Sequence, residues 1–541
     1  MIFLQRPETI KQILESSAEK YKNNCAFISL DSQGNTVEIS YAELKNDVDC
    51  LATGLIYEHG MRGEKAAIIG CNCYEWCVCY LACLAAGIVA VPVDRELSGD
   101  DIGDILSFAS VKAVLGDERS LKKLNRQKGC DYICFEDAEK GFYSLIEKGK
   151  HLKKEGYTVD AEIDPDALAV LLFTSGTTGN SKGVMLSNRN LCSDLFLVSS
   201  NISINEKDRS LSLLPLHHTY EAISLLMILY CGGSVAFCGG IRYLSRGFQL
   251  FSPTVFVTVP LILEKLHEKI LREIENKGLR QKFRLASLMS SAVSSEKKKK
   301  LFADIHAFFG GKLEKIIVGA AALQAGAAED FELFGFKVII GYGLTECSPI
   351  IICNSDGDRT YDTVGRPLAE TEIKINSPDE KGVGEILVKG PMVMLGYYEN
   401  EKATEEVFCD GWFCTGDLGW RDKNGRYRIS GRCKNVIVTR NGKNIYPEEL
   451  EYRLNKNAFI SESLVYGEKG DIISCEILPD EQAVKAKLKK QNPTDEEIKA
   501  LINEAVRSIN RLLPTYKRIK KVTVRKDGFS KTTTHKIKRK Y

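Results

Sequence analysis

Along most of the chain, short apolar runs of strand length alternate with longer segments whose apolar residues recur at helical spacing. AAIIG at residues 66–70 and IVAVPV at residues 88–93 are strand-like, and a helical pattern near residues 102–109 precedes the next run, KAVLGD. Similar runs recur at residues 256–260, 315–321 and 337–343. The alternation predicts an α/β fold with mainly parallel sheets.

The pattern changes near Gly431, where GRCKNVIVTRNGKNIYPEELE leads into a charged segment. A helical stretch at residues 494–512 and a basic tail ending in HKIKRKY follow. A second, smaller domain of about 110 residues accounts for the change. We expect the boundary between Arg432 and Asn435, so that the domains comprise residues 1–432 and 433–541. The basic tail is interpreted as a solvated surface, with a membrane-surface or phosphate-facing patch as the alternative.

Residues 76–93 form an apolar or small run that is just long enough to span a bilayer. Within it, YLACLAA is followed by Gly87 and then by β-branched IVAVPV, the pattern of a buried helix, a glycine stop and a buried strand. Residues 223–237 repeat this design. We therefore expect no transmembrane span, while peripheral membrane contact stays open.

Composition adds few constraints. A chain of 541 residues exceeds what a single core holds, so two or more domains are expected. Lys plus Arg number 74 against 72 for Asp plus Glu, and this balance gives no reason to expect a nucleic acid partner. The N-terminus MIFLQRPETIKQIL lacks an apolar signal core, so a cytoplasmic location fits better than secretion for a chain with 18 cysteines.

The densest cysteine group lacks paired CxxC spacing and any nearby histidine, so we interpret it as small buried side chains on a helix and not as a metal site. Its members are Cys71, Cys73, Cys77, Cys79 and Cys83.

A glycine- and hydroxyl-rich segment follows the strand-like run at residues 169–173. Its residues are Thr174, Ser175, Gly176, Thr177, Thr178, Gly179, Asn180, Ser181, Lys182 and Gly183. Glycines let backbone N–H groups approach an anion, hydroxyls donate to it, and Lys182 adds charge, so the segment is suited to phosphate. It is not a Walker A loop, because no Ser or Thr follows Lys182. A flexible linker is the alternative, disfavoured because another buried strand, GVMLS, follows.

A second segment, GYGLTE, follows the strand-like KVII, where open α/β sheets bind ligands. Tyr342 could stack on a base, Thr345 could hydrogen-bond a phosphate, and Glu346 could hold magnesium. By itself the segment also fits a common structural pattern, a glycine-rich strand end with a capping Thr and Glu.

Two further segments place charged residues near the expected boundary. Asp417, in GWFCTGD, could hold both hydroxyls of a ribose, but a turn residue beside Gly416 is equally consistent. Arg432 could be an ordinary salt-bridge partner. Lys536 lies in the basic tail and carries no local signal of function.

Taken in this order, the segments resemble the adenylate-forming superfamily of acyl-CoA synthetases, peptide-synthetase adenylation domains and luciferases. The resemblance runs from SYAELKNDVDCLATGL at residue 40 to KTTTHKIKR at residue 531. Within it, LPLHHTYE, GYGLTE, MLGYYENEKATEEVF and GWFCTGDLG look most like the bacterial long-chain fatty acyl-CoA ligases. The family implies a large N-terminal domain of several subdomains and a smaller mobile α+β C-terminal domain.

The resemblance also implies a role for each matching residue. It assigns to ATP binding Thr174, Ser175, Gly176, Thr177, Thr178, Gly179, Lys182, Gly319, Ala320, Ala321, Tyr342, Gly343, Asp417 and Arg432. Glu346, with Thr174, would ligate magnesium, and Thr345 would bind the α-phosphate. His218 would lie at the acyl pocket. Lys434 would be the hinge of the small domain, and Lys536 the catalytic lysine.

The implied activity is that of an ATP-dependent acid–thiol ligase, which forms an acyl-adenylate and transfers the acyl group to coenzyme A. The resemblance to fatty acyl-CoA ligases implies a medium- or long-chain fatty acid as the substrate. An amino acid is disfavoured, because LPLHHTYE lacks the Asp with which amino-acid-activating relatives pair the substrate ammonium. An acyl carrier protein as acceptor, an aryl or other acid, and a non-catalytic acyl-adenylate sensor are the alternatives. The sequence does not indicate chain length or oligomeric state.

Three segments depart from the family pattern. Ser181 stands where the family usually has Pro, and residues 319–323 read GAAAL in place of a Gly-Gly-Ala-Pro-Leu type run. His535 replaces the usual Gly before Lys536, so a side chain there could reposition the lysine.

Overall fold

The computed structural model describes residues 6–31, 33–159, 162–174, 182–278, 283, 295–439, 443–468, 472–531 and 537–539. The chain divides into two compact units. The first comprises Met1–Glu372 and Val388–Phe413, and the second comprises Ile373–Leu387 and Cys414–Tyr541. The predicted domain boundary at residues 432–435 stays a prediction.

The helices are, in chain order, α1 Ile10–Lys20, α2 Tyr41–His59, α3 Tyr74–Ala86, α4 Gly99–Ala109, α5 Glu118–Leu121, α6 Phe142–Lys154, α7 Asn188–Asn201, α8 Thr219–Tyr230, α9 Leu244–Phe251, α10 Pro260–Asn276, α11 Ser295–Leu301, α12 Ala303–Phe308, α13 Ala325–Phe334, α14 Glu401–Val407, α15 Pro447–Asn455, α16 Glu481–Leu488 and α17 Asp495–Arg511. Short 3-10 turns lie at Ile241–Tyr243, Thr345–Cys347, Cys433–Asn435 and Thr515–Lys517.

The strands are, in chain order, β1 Cys25–Leu30, β2 Thr36–Ser40, β3 Lys65–Ile69, β4 Val89–Pro92, β5 Ala113–Gly116, β6 Asp131–Cys134, β7 Leu168–Thr174, β8 Lys182–Ser187, β9 Arg209–Ser212, β10 Ser234–Phe237, β11 Val255–Thr258, β12 Lys315–Val318, β13 Lys337–Gly343, β14 Ile350–Cys353, β15 Arg366–Pro367, β16 Glu372–Asn376, β17 Gly384–Lys389, β18 Gly396–Tyr397, β19 Phe408–Cys409, β20 Trp412–Arg421, β21 Tyr427–Arg432, β22 Ile437–Val438, β23 Asn444–Ile445, β24 Ile460–Glu468, β25 Ile472–Pro479 and β26 Ile519–Val524.

Two mainly parallel sheets form the framework of the first unit. The seven-stranded sheet has the order β18-β8-β7-β4-β3-β5-β6 and is parallel from β7 to β6. The nine-stranded sheet has the order β15-β14-β13-β12-β11-β9-β10-β1-β2 and is parallel from β13 to β1. The predicted α/β class is confirmed. Because parallel strands end together, the segments that follow β11, β12 and β13 share one edge of the sheet.

The long apolar run folds as the sequence predicts. Helix α3 ends at Gly87, whose backbone is left-handed with φ of 69°, and β4 follows directly. Cys77, Cys79 and Cys83 of α3 are completely buried, which agrees with small core side chains. Among the described residues, no helix is long and apolar enough to cross a membrane, and no group of three or more His, Cys, Asp or Glu is arranged to hold a metal ion.

The second unit is α+β. Strand β20 pairs antiparallel with β21, and β25 lies between antiparallel β24 and parallel β26. Helix α17 begins at Thr494, whose hydroxyl and Glu497 form a capping box, within the predicted stretch 494–512. Its apolar face, with Ile502 and Val506, packs into the core of this small sheet.

Candidate active site

The ends of the glycine-rich loop are joined by a β-ladder. Strands β7 and β8 pair antiparallel with Thr174 opposite Lys182, and the Thr174 hydroxyl donates a hydrogen bond of 3.5 Å to the Lys182 carbonyl oxygen. Residues 175–181, with Ser175, Gly176, Thr177, Thr178 and Gly179, lie outside the described residues. Their contact with phosphate stays a prediction, supported by the placement of the loop between paired strands.

A tyrosine connects the basic end of this loop to Glu346. The Lys182 Nζ lies 4.5 Å from the centre of the Tyr397 ring, and the Tyr397 hydroxyl donates a hydrogen bond of 3.0 Å to Glu346 Oε1. Strand β18 brings Tyr397 here by pairing with β8, where Tyr397 lies opposite Val184. Among the described residues, no carboxylate pairs with Lys182, so its charge is available for an anion.

Glu346 is half-buried in the 3-10 turn Thr345–Cys347, and the turn is anchored by the Met394 N–H, which donates to the Glu346 carbonyl oxygen at 2.9 Å. The Tyr397 hydroxyl occupies only Oε1, and within the described part of the chain Oε2 accepts no hydrogen bond. A carboxylate held in this way suits a hard cation such as magnesium, which prefers a few protein oxygens. Glu346 therefore fits the expected metal, and the binding of phosphate by the neighbouring Thr345 stays a prediction.

Strand β13 ends in Tyr342 and Gly343, as predicted. The Tyr342 side chain is half-buried, and the residue pairs with Ile352 of β14. A Cβ at Gly343 would lie 1.8 Å from the Pro349 carbonyl oxygen, which itself accepts a 2.9 Å hydrogen bond from the Leu344 N–H. Gly343 is therefore required by the close approach of two backbone segments.

The stretch Gly319, Ala320 and Ala321 follows β12, beside the end of β13. Gly319 is buried, and a Cβ there would lie 3.2 Å from the Tyr220 ring. Ala320 is exposed and has a left-handed backbone with φ of 71°. An L-residue in that conformation costs about 1–2 kcal/mol relative to glycine. Ala320, where the family usually has glycine, therefore carries backbone strain that a glycine would not.

His218 precedes α8 and stands beside a second histidine. The centres of the His217 and His218 rings are 4.3 Å apart, and the backbone N–H of His218 donates to the Pro215 carbonyl oxygen at 3.0 Å. Burial, with a smaller effect from Arg95, lowers the pKa of His217 to about 4, so that ring is neutral at neutral pH. His217 and Tyr397 were not predicted as site residues, although they lie inside the motifs LPLHHTYE and MLGYYENEKATEEVF.

In the second unit, Asp417 and Arg432 face each other across β20 and β21, with Arg432 Nε 2.6 Å from Asp417 Oδ1. Asp417 is buried and Arg432 is largely exposed. The Asp417 backbone N–H donates to the Thr415 hydroxyl at 3.0 Å, which stabilises the backbone of β20 at this residue. The structure thus pairs the two residues expected to hold the ribose.

Lys434 lies directly after β21 in the 3-10 turn Cys433–Asn435, and Asn435 hydrogen-bonds Glu448 of α15. His535 and Lys536 lie outside the described residues, although Lys531 and Ile537 on either side of them form an antiparallel bridge. The assignments of the hinge and the catalytic lysine therefore stay predictions.

Comparison with known proteins places the chain in a family. A model of AMP-binding enzymes matches residues 14–398, and a model of the C-terminal domain of AMP-binding enzymes matches residues 434–541. The chain belongs to the AMP-binding enzyme family.

Individual relatives match over most of the chain. A long-chain-fatty-acid–CoA ligase of Mycobacterium bovis is 28% identical over 94% of this chain and 90% of that protein. A chloroplastic long-chain-fatty-acid–[acyl-carrier-protein] ligase of Arabidopsis thaliana is 26% identical, over 92% of this chain and 80% of that protein. The structure of o-succinylbenzoate coenzyme A synthetase from Bacillus subtilis with ATP and magnesium has a TM-score of 0.72 at 24% identity, covering 97% of this chain and 98% of that chain.

These matches confirm the resemblance to adenylate-forming enzymes near the fatty acyl-CoA ligases, and they confirm the fold class. The protein is a member of the adenylate-forming acid–CoA ligases. Such ligases use ATP with Mg²⁺ and coenzyme A, the set predicted from the sequence.

Proposed function

We propose that this protein activates a medium- or long-chain fatty acid as acyl-AMP and transfers the acyl group to coenzyme A, with release of AMP and pyrophosphate. The arrangement of Lys182, Tyr397 and Glu346 carries the proposal, because it joins a cation expected to bind phosphate to a carboxylate suited to magnesium. The fatty acid is supported by relatives that are named long-chain-fatty-acid ligases and by the motifs shared with them.

The protein contributes to this reaction by position and charge. A carboxylate is a poor electrophile, so its oxygen first attacks the α-phosphorus of ATP and pyrophosphate leaves. Lys182 and the loop N–H groups offset charge on the leaving phosphates, and Thr345 and Lys536 do so at the α-phosphate. Magnesium, when bound by Glu346, supplies further positive charge to the phosphate oxygens. No nucleophilic side chain is needed.

Turnover by purified protein tests the substrate. AMP and pyrophosphate release is measured with ATP, magnesium and coenzyme A against a panel of acids from acetate to oleate, with benzoate and amino acids. We expect a maximum among medium or long fatty acids that depends on coenzyme A. A maximum at benzoate or an amino acid would contradict the fatty acid assignment.

The Lys536→Ala variant tests the adenylation chemistry. Removing the ammonium should lower acyl-AMP formation by about 100-fold or more, because electrostatic stabilisation of the transition state is lost. ATP binding, measured by calorimetry, should stay within about twofold, since the remaining phosphate and ribose contacts are kept. Lys538→Ala, which removes a neighbouring exposed lysine, is the matched control. Equal acyl-AMP formation by Lys536→Ala and wild type would show that Lys536 is not the catalytic lysine, whereas ATP binding without acyl-AMP formation by the wild type would favour a non-catalytic sensor.

An acyl carrier protein is the second candidate acceptor, favoured by the similarity to the Arabidopsis ligase. Both acceptors present a phosphopantetheine thiol, so the two differ only in the surface that is recognised. Replacing coenzyme A with holo-acyl carrier protein in the same assay separates them: adenylation without transfer to coenzyme A, together with transfer to the carrier, would establish the second function.

A further inference from the structure

Asn72 holds the segment in front of His218 from one side. Its amide nitrogen donates to the Ser212 hydroxyl at 2.9 Å and to the Leu214 carbonyl oxygen at 2.7 Å. Its amide oxygen accepts the Leu216 N–H at 3.2 Å. Both donors and the acceptor of this side chain are therefore committed to residues 212–216, which leave β9 and lead to the two histidines.

Glu221 holds the same segment from the other side. This residue of the first turn of α8 is 4% exposed, and its Oε1 accepts a 2.6 Å hydrogen bond from the Ser212 hydroxyl. Within the described residues its other oxygen, Oε2, is buried without a hydrogen-bond partner, so Ser212 is the contact through which Glu221 holds the segment. The Ser212 hydroxyl thus accepts a hydrogen bond from Asn72 and donates one to Glu221. These three side chains form a polar chain of hydrogen bonds at the start of the segment.

We propose that Asn72 and Glu221 are positioning residues of the ligase reaction, which fix the backbone of residues 213–218 so that His218 faces the acyl carboxylate. This inference rests on the proposed function and on the expectation, implied by the family resemblance, that His218 lies at the acyl pocket. A misplacement of about 1 Å is enough to lower a rate by roughly 100-fold. Asn72 and Glu221 would therefore affect the reaction rate through the position of His218, without contacting the substrate themselves.

The chemistry of Glu221 favours this interpretation over simple packing. Burying a carboxyl group is unfavourable, and an apolar residue would fill the same space at a lower cost. Burial raises the pKa of Glu221 to about 8, and the Ser212 hydrogen bond opposes the rise. The titratable groups beside it are the Cys77 thiol of α3 and the Tyr220 hydroxyl, and burial keeps both neutral at pH 7 by raising their pKa. Glu221 is therefore a neutral hydrogen-bonding group at neutral pH.

Asn72→Asp is the first test, because it keeps the shape of the side chain and removes both N–H donors. With a fatty acid that the wild type uses, we expect kcat/KM to fall by about tenfold or more through KM for the acid. Binding of ATP with magnesium, measured by calorimetry, should stay within about twofold. Asn46→Asp makes the same chemical change at an exposed position of α2. It should leave kcat/KM, KM for the acid and the binding of ATP unchanged.

Glu221→Gln and Glu221→Ala test the other side. Gln keeps a neutral acceptor for the Ser212 hydroxyl, so it should retain wild-type kcat/KM at pH 7, whereas Ala should lose about tenfold. Above pH 8 the wild type should lose activity as the buried carboxyl ionises, while Glu221→Gln should not show that decline.

Stability gives a readout of the same ionisation without turnover. The folded state favours the protonated carboxyl, so its contribution to stability is complete below about pH 4.5 and is lost as the pH rises towards 8. The Tm of Glu221→Gln relative to wild type should therefore increase between pH 5 and pH 8.

A fatty acyl sulfamoyl adenosine, a stable analogue of acyl-AMP, gives a binding test independent of turnover. Asn72→Asp and Glu221→Ala should bind it about tenfold more weakly than wild type, with ATP binding unchanged. Lower Tm values with unchanged kcat/KM and unchanged binding of this analogue would overturn the proposal and leave the proposed function standing. A wild type that prefers an aryl acid would overturn the fatty acid assignment, and the KM for that acid would then measure the positioning effect.

Discussion

Single side chains in this protein connect motifs that lie far apart in the sequence. Tyr397 is the clearest case, because its ring lies 4.5 Å from the Lys182 ammonium while its hydroxyl binds Glu346. The face of an aromatic ring attracts a cation, and a hydroxyl donor steadies a carboxylate without neutralising it. Tyr397 therefore orients the two charges that would meet the phosphates and the metal.

Tyr397→Phe separates these two contacts, since it keeps the ring and removes the hydroxyl. We expect the magnesium concentration needed for half-maximal ATP binding to rise about tenfold or more, because a hydrogen bond to a charged group contributes about 1.5–3 kcal/mol. Calorimetric titrations of ATP at several magnesium concentrations measure this.

Tyr398→Phe is the matched control, because no hydrogen bond from the Tyr398 hydroxyl is found among the described residues. An equal magnesium dependence in Tyr397→Phe and wild type would mean that the hydroxyl does not orient Glu346.

At the scale of elements, the turn between β13 and β14 places Glu346 and Thr345. The two strands approach so closely that only glycine fits at 343, with the Pro349 carbonyl oxygen where a Cβ would lie. The turn is then closed by the Leu344 N–H and anchored to residue 394 by the Met394 N–H. The geometry of the candidate metal site thus depends on backbone packing as well as on its carboxylate.

Gly343→Ala tests this dependence. Overpacking of this kind destabilises by about 1–3 kcal/mol, and the backbone shift that relieves it would displace Glu346. We expect a lower Tm and at least about tenfold slower acyl-AMP formation, measured by pyrophosphate exchange. Gly326→Ala is the control, because a Cβ there meets nothing within 4 Å on an exposed face of α13. Full activity in Gly343→Ala would show that the turn tolerates displacement.

Local signals predicted the elements well. Gly87 marks the end of α3 and Thr494 the start of α17, since each is read from a few neighbouring residues. Long-range pairing was not predictable in the same way. Strand β18 is only two residues long, and nothing in GYY indicates that it pairs with β8. The contact of Asn72 with residues 212–216 likewise depends on how two crossover connections meet.

At the scale of the whole molecule, the ligase reaction consists of two half-reactions, adenylation of the acid and transfer of the acyl group to the thiol. Lys536 is expected to serve adenylation, and the thiol must then reach the carbonyl carbon of the acyl-adenylate. The C-terminal domain predicted at residues 433–541 would therefore change its orientation between the steps, with Lys434 as the hinge. Lys434 lies in a three-residue turn between β21 and β22, where a few backbone dihedrals can absorb such a change.

Lys434→Pro tests the hinge directly. Proline fixes φ near −65° and disfavours helical geometry at Cys433, so the turn keeps fewer conformations. We expect the ratio of the two half-reaction rates to change by about tenfold or more, because one orientation is favoured over the other. Pyrophosphate exchange measures adenylation, and single-turnover transfer from preformed acyl-AMP measures thioester formation. Lys434→Ala removes the charge but keeps the freedom of the backbone, so it should leave the ratio near that of wild type; a ratio equally unchanged in Lys434→Pro would place the hinge elsewhere.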